Sequence, residues 1–317
     1  MINKIFLSIL MIITLGYAKD DIIIFHAGSL SIPFAQIEKA FESKYPNFDI
    51  KREASGSRLA ARKVSDIKRD ADIIASADYK VIDNLLIPQN AKFNIQFATN
   101  EMAIAYTPKS KYAKDINSTN WTEILLKDGV KVGHSNPNVD PCGYRSILVT
   151  KLAQIYYNKP DFYNQLLGYK EYYKIGDEQK DKVIVRPKET DLLALLEVGA
   201  IDYLFIYKSV AKQHKLNYIE LPPKISLQSS HYNDYYKQVS FKISGKKPGE
   251  FITKKGLAMI YGVTIVQNHK SPHNKKGAIA FMKFLLSTDA QDIIKQNGQT
   301  PIVPPIITGD NSILKEK

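Results

Sequence analysis

Two carboxylates and a few small-residue turns are the groups in this chain whose types and spacing suit chemistry. Asp140 stands in the loop Ser135-Asn136-Pro137-Asn138-Val139-Asp140-Pro141-Cys142-Gly143-Tyr144-Arg145, and Glu189 in Pro187-Lys188-Glu189-Thr190. An apolar stretch of helical period follows each, which places each at a helix N-terminus. As a pair they have the make-up of a general acid and base. Singly, Asp140 reads as an N-cap and Glu189 as a first-turn carboxylate favoured by the helix dipole. Ala27-Gly28-Ser29 and Ser55-Gly56-Ser57 each follow a strand and precede a helix. There, free backbone N–H groups and hydroxyls point at an anion, although the same residue types also make ordinary turns. Tyr207 ends the apolar run Tyr203-Leu204-Phe205-Ile206-Tyr207, where it can serve the core with its ring or a ligand with its hydroxyl.

Other chemistries find no support. The chain has no Walker loop, no Gly-x-Ser-x-Gly elbow and no His-Glu-x-x-His pair. Its six histidines are dispersed, and its single cysteine, Cys142, excludes a thiolate zinc site and an intramolecular disulfide. With no nucleophile or positioned histidine beside Asp140 and Glu189, an exported hydrolase using that pair ranks below a binding protein. The net charge of +12 comes from scattered Lys and Arg. It implies a solvated basic surface and no nucleic-acid partner, with a field that speeds capture of a small anion.

The elements that must position these groups can be read in order. Residues 1–18 look like a secretory signal: Lys4, an apolar run from Ile5 to Leu15, and small residues to Ala18. That implies export, with cleavage near Ala18 and a periplasmic location. Ile22–Phe25 reads as a buried strand, with a helix from near Ser31 carrying Pro33, Phe34, Ile37 and Phe41. Asp49–Ala54 is a strand, followed by a helix with Leu59, Val64 and Ile67 on one stripe. Ala71–Ser76 is a strand, and Asp78 caps a helix over Tyr79–Leu86. A crossing to a second lobe falls near Asn100 and Glu101, ahead of a strand at Ala103–Tyr106. That lobe continues with a helix at Trp121–Leu126 and a strand at Val130–Gly133. Next come a helix faced by Leu148, Leu152, Ile155 and Tyr156, and a strand at Val183–Arg186. A Leu-rich helix runs from Glu189 to Gly199. A long strand at Ala258–Val266 returns to the first lobe, Ser271-Pro272 opens a helix, a last helix covers Ala290–Gln296, and Pro301–Pro305 is an extended tail on the surface. The expected organisation is α/β and two-lobed: residues 19–100 and 264–317 in one lobe, 101–263 in the other. The four anion-donor turns, Ala27–Ser29, Ser55–Ser57 and the loops around Asp140 and Glu189, divide two and two between the halves, which suits a cleft that holds a small oxyanion from both sides.

Several stretches together resemble the molybdate/tungstate-binding proteins of ABC transporters, of the type first recognised in archaea. They are Phe25-His26-Ala27-Gly28-Ser29-Leu30, Ala54-Ser55-Gly56-Ser57, Ala75-Ser76-Ala77-Asp78-Tyr79, the loop Ser135–Arg145, and Asp202–Ala211. Pro141-Cys142-Gly143-Tyr144-Arg145 is the most specific of them. The resemblance covers nearly all of the mature chain and implies a type II periplasmic-binding fold that closes on its ligand. It implies Ser29, Ser57 and Tyr207 as oxyanion ligands, with Asp140 and Glu189 completing a six-coordinate tungsten or molybdenum centre. It further implies a monomer that works with an ABC permease of the inner membrane, without catalysis and without a cofactor besides the ligand. The same fold carrying sulfate, phosphate or another oxyanion is the alternative. Two departures stand out: Lys170–Lys182 is shorter than in relatives, and Ser55 replaces a small apolar residue.

Overall fold

The computed structural model describes residues 19–267 and 272–315. The expected signal segment and Ser271 lie outside the described residues.

Two sheets carry the chain. The first contains β1 (Asp20–Ala27), β2 (Phe48–Ser55), β3 (Ile73–Ser76) and β4 (Phe93–Thr99). The second contains β5 (Met102–Tyr106), β6 (Val132–Ser135), β7 (Val183–Arg186), β8 (Tyr203–Tyr207) and β9 (Asn217–Glu220). A hairpin of β10 (Ser240–Ser244) and β11 (Phe251–Lys255) follows, and β12 (Ile260–Ile265) and β13 (Thr300–Gly309) rejoin the first sheet. The orders are β13-β4-β12-β3-β1-β2 and β7-β6-β8-β5-β9. In both sheets the strands that lead into the site run parallel: β1 with β2 and β3, β6 with β7 and β8. Parallel strands are covered on both faces, which explains unbroken apolar runs such as Ile22–Phe25. β12 is antiparallel to β3 and β4, and β5 to β8 and β9.

Between the strands lie α1 (Ser31–Lys44), α2 (Ser57–Ser65), α3 (Tyr79–Leu85), α4 (Trp121–Leu126), α5 (Pro141–Tyr156), α6 (Phe162–Leu166), α7 (Leu193–Glu197) and α8 (Lys208–Gln213). Most of these helices follow strands at the ends that face the other lobe; α4 instead follows β5, which is antiparallel to β8 and so ends at the far side, and α6 follows α5. Asp78 caps α3 as expected, its Oδ1 accepting from the Lys80 N–H at 3.0 Å. The hairpin rides on the second lobe, with Lys151 Nζ donating to Ser240 O at 3.0 Å and Ser244 N to Asn138 Oδ1 at 2.9 Å.

Local differences from the sequence reading have physical reasons. Ile67 lies beyond the end of α2 and is exposed, so it leaves the apolar stripe. In α5, Leu148 and Leu152 are buried, but so is every residue from Pro141 to Thr150, while Ile155 and Tyr156 are exposed at its far end. The helix is sunk at its N-terminal half rather than amphipathic along its length. The Leu-rich helix is a 3-10 turn, Glu189–Leu192, continued by α7. The extended tail is β13, paired with β4, with its register shifted between Pro301 and Ile306. All of β12 lies in the first sheet, so the line at residue 264 runs through a strand.

Candidate functional site

The site forms where the strand ends of the two sheets meet. β1 ends at Ala27 and enters a 3-10 turn, Gly28–Leu30, before α1. β2 ends at Ser55, and Gly56 opens α2 with φ −57° and ψ 136°. From the other lobe, β6 delivers the loop to Asp140, and β7 delivers Glu189.

Both glycines are required by the approach of the opposite lobe. A Cβ on Gly28 would lie 2.9 Å from Glu189 Oε1 and 3.0 Å from its Oε2. A Cβ on Gly56 would lie 2.5 Å from the Val139 carbonyl oxygen and 3.0 Å from Asp140 Cβ. That carbonyl accepts the N–H groups of Arg58 and Leu59 at 3.1 and 3.2 Å. The free N–H groups at the start of α2 are thus met by a backbone oxygen from across the cleft.

The carboxylates sit side by side in this contact, both fully buried. Asp140 caps α5, with Oδ1 accepting from Cys142 N at 3.2 Å, and its Oδ2 accepts the Glu189 N–H at 3.0 Å. One residue therefore fixes two loops. Neither oxygen of Glu189 receives a hydrogen bond from a fixed donor among the described residues; the polar group beside it is the Asp140 carboxyl. Burial raises both carboxyls above their usual range, and the charge of Asp140 pushes Glu189 further up.

Three hydroxyls surround the carboxylates. Ser29 Oγ accepts from Tyr261 Oη at 3.0 Å, and Ser57 Oγ accepts the Ala77 N–H at 2.9 Å. Tyr207 Oη accepts from Arg145 Nη1 at 3.0 Å, and the same Nη1 donates to Ala77 O at 2.8 Å across the lobes. In each case a fixed donor occupies the oxygen, so the hydroxyl proton remains to be given elsewhere.

Behind these groups lies a charged seam between the lobes that sequence reasoning missed. Asp78 Oδ2 accepts from Lys254 Nζ at 2.8 Å and from Tyr144 Oη at 2.5 Å. Burial works to raise this carboxyl, but Lys254 and Arg145 outweigh it and hold Asp78 well below the usual carboxylate range. Burial also lowers the Lys254 ammonium despite the pairing. Because Asp78 collects the donors, the pair is ionised. Arg58, fully buried, donates from Nε to Asn138 O at 2.9 Å and from Nη2 to Ser244 O, while Arg62 donates to Gly245 O. These residues stand up to 186 positions apart, so no local pattern announces them.

Ser29, Ser57, Asp140, Glu189 and Tyr207 are thus brought to one interlobe contact. Tyr261 and Arg145 had no sequence-level role; Arg145 could have been singled out because it stands in the most specific loop. The one cysteine, Cys142, is buried and its thiol is pushed up by burial, so it is inert packing.

This is the architecture of a two-lobed solute-binding protein, with small-residue turns from one lobe meeting the Asp140 and Glu189 loops of the other. The chain belongs to the family described as bacterial extracellular solute-binding protein, whose model matches residues 22–300. It is 54% identical to an uncharacterized solute-binding protein of Petrotoga mobilis, over 92% of this chain and 88% of that one. It is 44% identical to a molybdate/tungstate-binding protein, WtpA, of Pyrococcus abyssi, over 93% of this chain and 88% of that one. The fold is shared with the periplasmic molybdate-binding protein of Azotobacter vinelandii at a TM-score of 0.61 and 15% identity, covering 89% of this chain and 99% of that one. It is also shared with the sulfate-binding protein SubI of Mycobacterium tuberculosis at 0.61 and 15%, covering 93% and 89%. Members of such a family bind and deliver solutes rather than transform them.

Proposed function

We propose that this protein captures tungstate or molybdate outside the cytoplasm and hands it, unchanged, to an ABC permease. The observation that carries this reading is the pair of buried carboxylates among hydroxyl donors, with neither Glu189 oxygen met by a fixed donor. A plain dianion is a poor occupant of such a site. At about 4 Å and an effective dielectric near 20, each ionised carboxylate repels a charge of −2 by roughly 8 kcal/mol. The central atoms of sulfate and phosphate take no further oxygen ligands. Molybdenum(VI) and tungsten(VI) expand from four oxygen neighbours to six, and a carboxylate bonded to the metal turns repulsion into a coordinate bond. Asp140 and Glu189 then serve as the added ligands, while Ser29, Ser57 and Tyr207 donate to the oxyanion oxygens. The pair also excludes the abundant anions. The relatives named molybdate/tungstate-binding at 43 and 44% identity support the same ligands. An N-terminal export signal and a monomeric carrier complete the proposal.

Calorimetry with tungstate, molybdate, sulfate and phosphate tests it. Tungstate and molybdate bind, and sulfate at millimolar concentration does not. Asp140→Asn with Glu189→Gln loses much of the tungstate affinity and relaxes the rejection of sulfate. X-ray absorption at the tungsten edge reports about six oxygen neighbours. A four-coordinate spectrum, or full tungstate affinity in the double variant, refutes the coordination; sulfate or phosphate binding by the parent refutes the choice of ligand.

A further inference from the structure

We infer that Tyr261 and Asn100 set the direction of the hydrogen bond that Ser29 offers to the bound anion. The inference rests on the proposed role of Ser29 in holding the ligand. Asn100 lies at the crossing between β4 and β5, and its Oδ1 accepts the Glu101 N–H at 2.9 Å. That contact fixes which way the amide is turned. Its Nδ2 therefore faces Ser209 Oγ at 2.7 Å and Tyr261 Oη at 2.9 Å. An amide NH2 donates and cannot accept. The Tyr261 oxygen is thus an acceptor on that side, and its single proton goes to Ser29 Oγ, 3.0 Å away. Ser29, already accepting, has its own proton left for a ligand. The Ser29 carbonyl is held separately by Gln299 Nε2 at 3.2 Å, so the turn does not depend on Tyr261 for its backbone position.

The chain Asn100–Tyr261–Ser29 is buried throughout. It starts at the crossing between lobes, passes through β12, and ends at the first anion turn. Its polarity is dictated at one end by an amide that has only donors to offer. Tyr261 is therefore a positioning residue acting through Ser29, not a contact to the ligand.

A double-mutant cycle on the whole protein tests this, with tungstate binding read by calorimetry and ligand-free unfolding read alongside. Y261F keeps the ring and its packing on Phe97, 5.9 Å between centroids. Alone it weakens tungstate binding about tenfold, the worth of one ordered neutral hydrogen bond. Combined with S29A it adds no loss beyond that of S29A. N100D gives a second reading with the same side-chain shape, the NH2 exchanged for oxygen: a carboxylate at that position accepts from Tyr261 and draws its proton away from Ser29. It too weakens binding in the parent and adds little to S29A. Equal losses with and without S29A, or full affinity in Y261F while S29A is impaired, overturn the inference. Full affinity in S29A itself instead refutes the proposed ligand role of Ser29, so the two failures are distinguished.

Discussion

Gly56→Ala separates closure of the lobes from folding of the chain, and the structure sets the size of the effect. At φ −57° and ψ 136° the backbone of Gly56 suits alanine without strain. The added Cβ, however, would stand 2.5 Å from the Val139 oxygen of the other lobe, against a floor of 3.0 Å for real contacts. The lobes must part by about 0.5 Å there. That stretches the bonds from Arg58 N and Leu59 N to Val139 O from 3.1 and 3.2 Å to about 3.6 and 3.7 Å, at which they no longer count as hydrogen bonds. Two such bonds are worth roughly 1–3 kcal/mol, so tungstate binds about 5- to 150-fold more weakly. The ligand-free protein, free to open, keeps its stability or gains about 0.4–1 kcal/mol, because alanine restricts the unfolded chain. Calorimetry and thermal unfolding read the two halves of the claim, and small-angle scattering shows a smaller contraction on ligand addition than in the parent. Undiminished affinity, or a ligand-free protein destabilised as much as binding is weakened, refutes the reasoning. Gly28→Ala parts the lobes less, because its Cβ meets the carboxyl end of the Glu189 side chain, but it weakens tungstate binding by displacing that proposed ligand.

Further outcomes follow from the same contacts. Ser29→Ala and Ser57→Ala each weaken tungstate binding by about 1.5–3 kcal/mol, the range for a hydrogen bond to a charged group; calorimetry showing parent affinity in both would locate the ligand elsewhere. Lys254→Met breaks the buried pair with Asp78, costing about 3 kcal/mol of the closed form, read as weaker tungstate binding with little change in ligand-free unfolding. Unchanged affinity would show that the seam does not contribute to closure. His26 and His134 are both buried, which lowers each to about 4 against 6.5 for the ordinary side chain, even though Nδ1 of each lies 2.8 Å from the next residue's carbonyl. The unfolded chain therefore takes up protons below pH 6.5 that the folded chain refuses until about pH 4. Stability is full above that window and declines through it by about 1.4 kcal/mol per pH unit for each histidine. Urea unfolding between pH 7 and pH 5 measures the slope, and a flat profile would contradict neutral buried imidazoles.

What could be read from the residues alone was local. The strand, small-residue turn and helix start at Ile22–Ser31 and at Asp49–Ser57 is written in adjacent positions, as is the Asp78 cap. Asp140 and Glu189 were visible for the same reason: each begins a periodic apolar stretch. The rest depends on which segments meet. Phe93-Asn94-Ile95-Gln96-Phe97 does alternate, but alternation predicts one exposed face, whereas here the polar residues Asn94 and Gln96 are buried as well. Tyr261 reads as one more core aromatic of β12 until Asn100 and Ser29 are seen on either side of its hydroxyl. Asp78 could be named a cap, but its partner Lys254 is 176 positions away on β11, a strand that alternates only weakly. Ile155 and Tyr156 misled because helical spacing says which face residues share, not how far along the helix the cover extends.

The bare oxygens of Glu189 bear on how a carrier avoids obstructing its own transporter. An empty molecule that shut as readily as a full one would occupy the membrane partner without cargo, and the abundant empty copies would exclude the scarce loaded ones. Shutting this cleft with nothing in it brings two carboxylates together and leaves one of them without a donor, a burial that polar groups pay heavily for. Cargo that bonds to those oxygens removes the penalty. On the role proposed for Glu189, the side chain that selects the anion also makes the shut shape a report of occupancy, and the transporter receives a message that an empty carrier is poorly able to send.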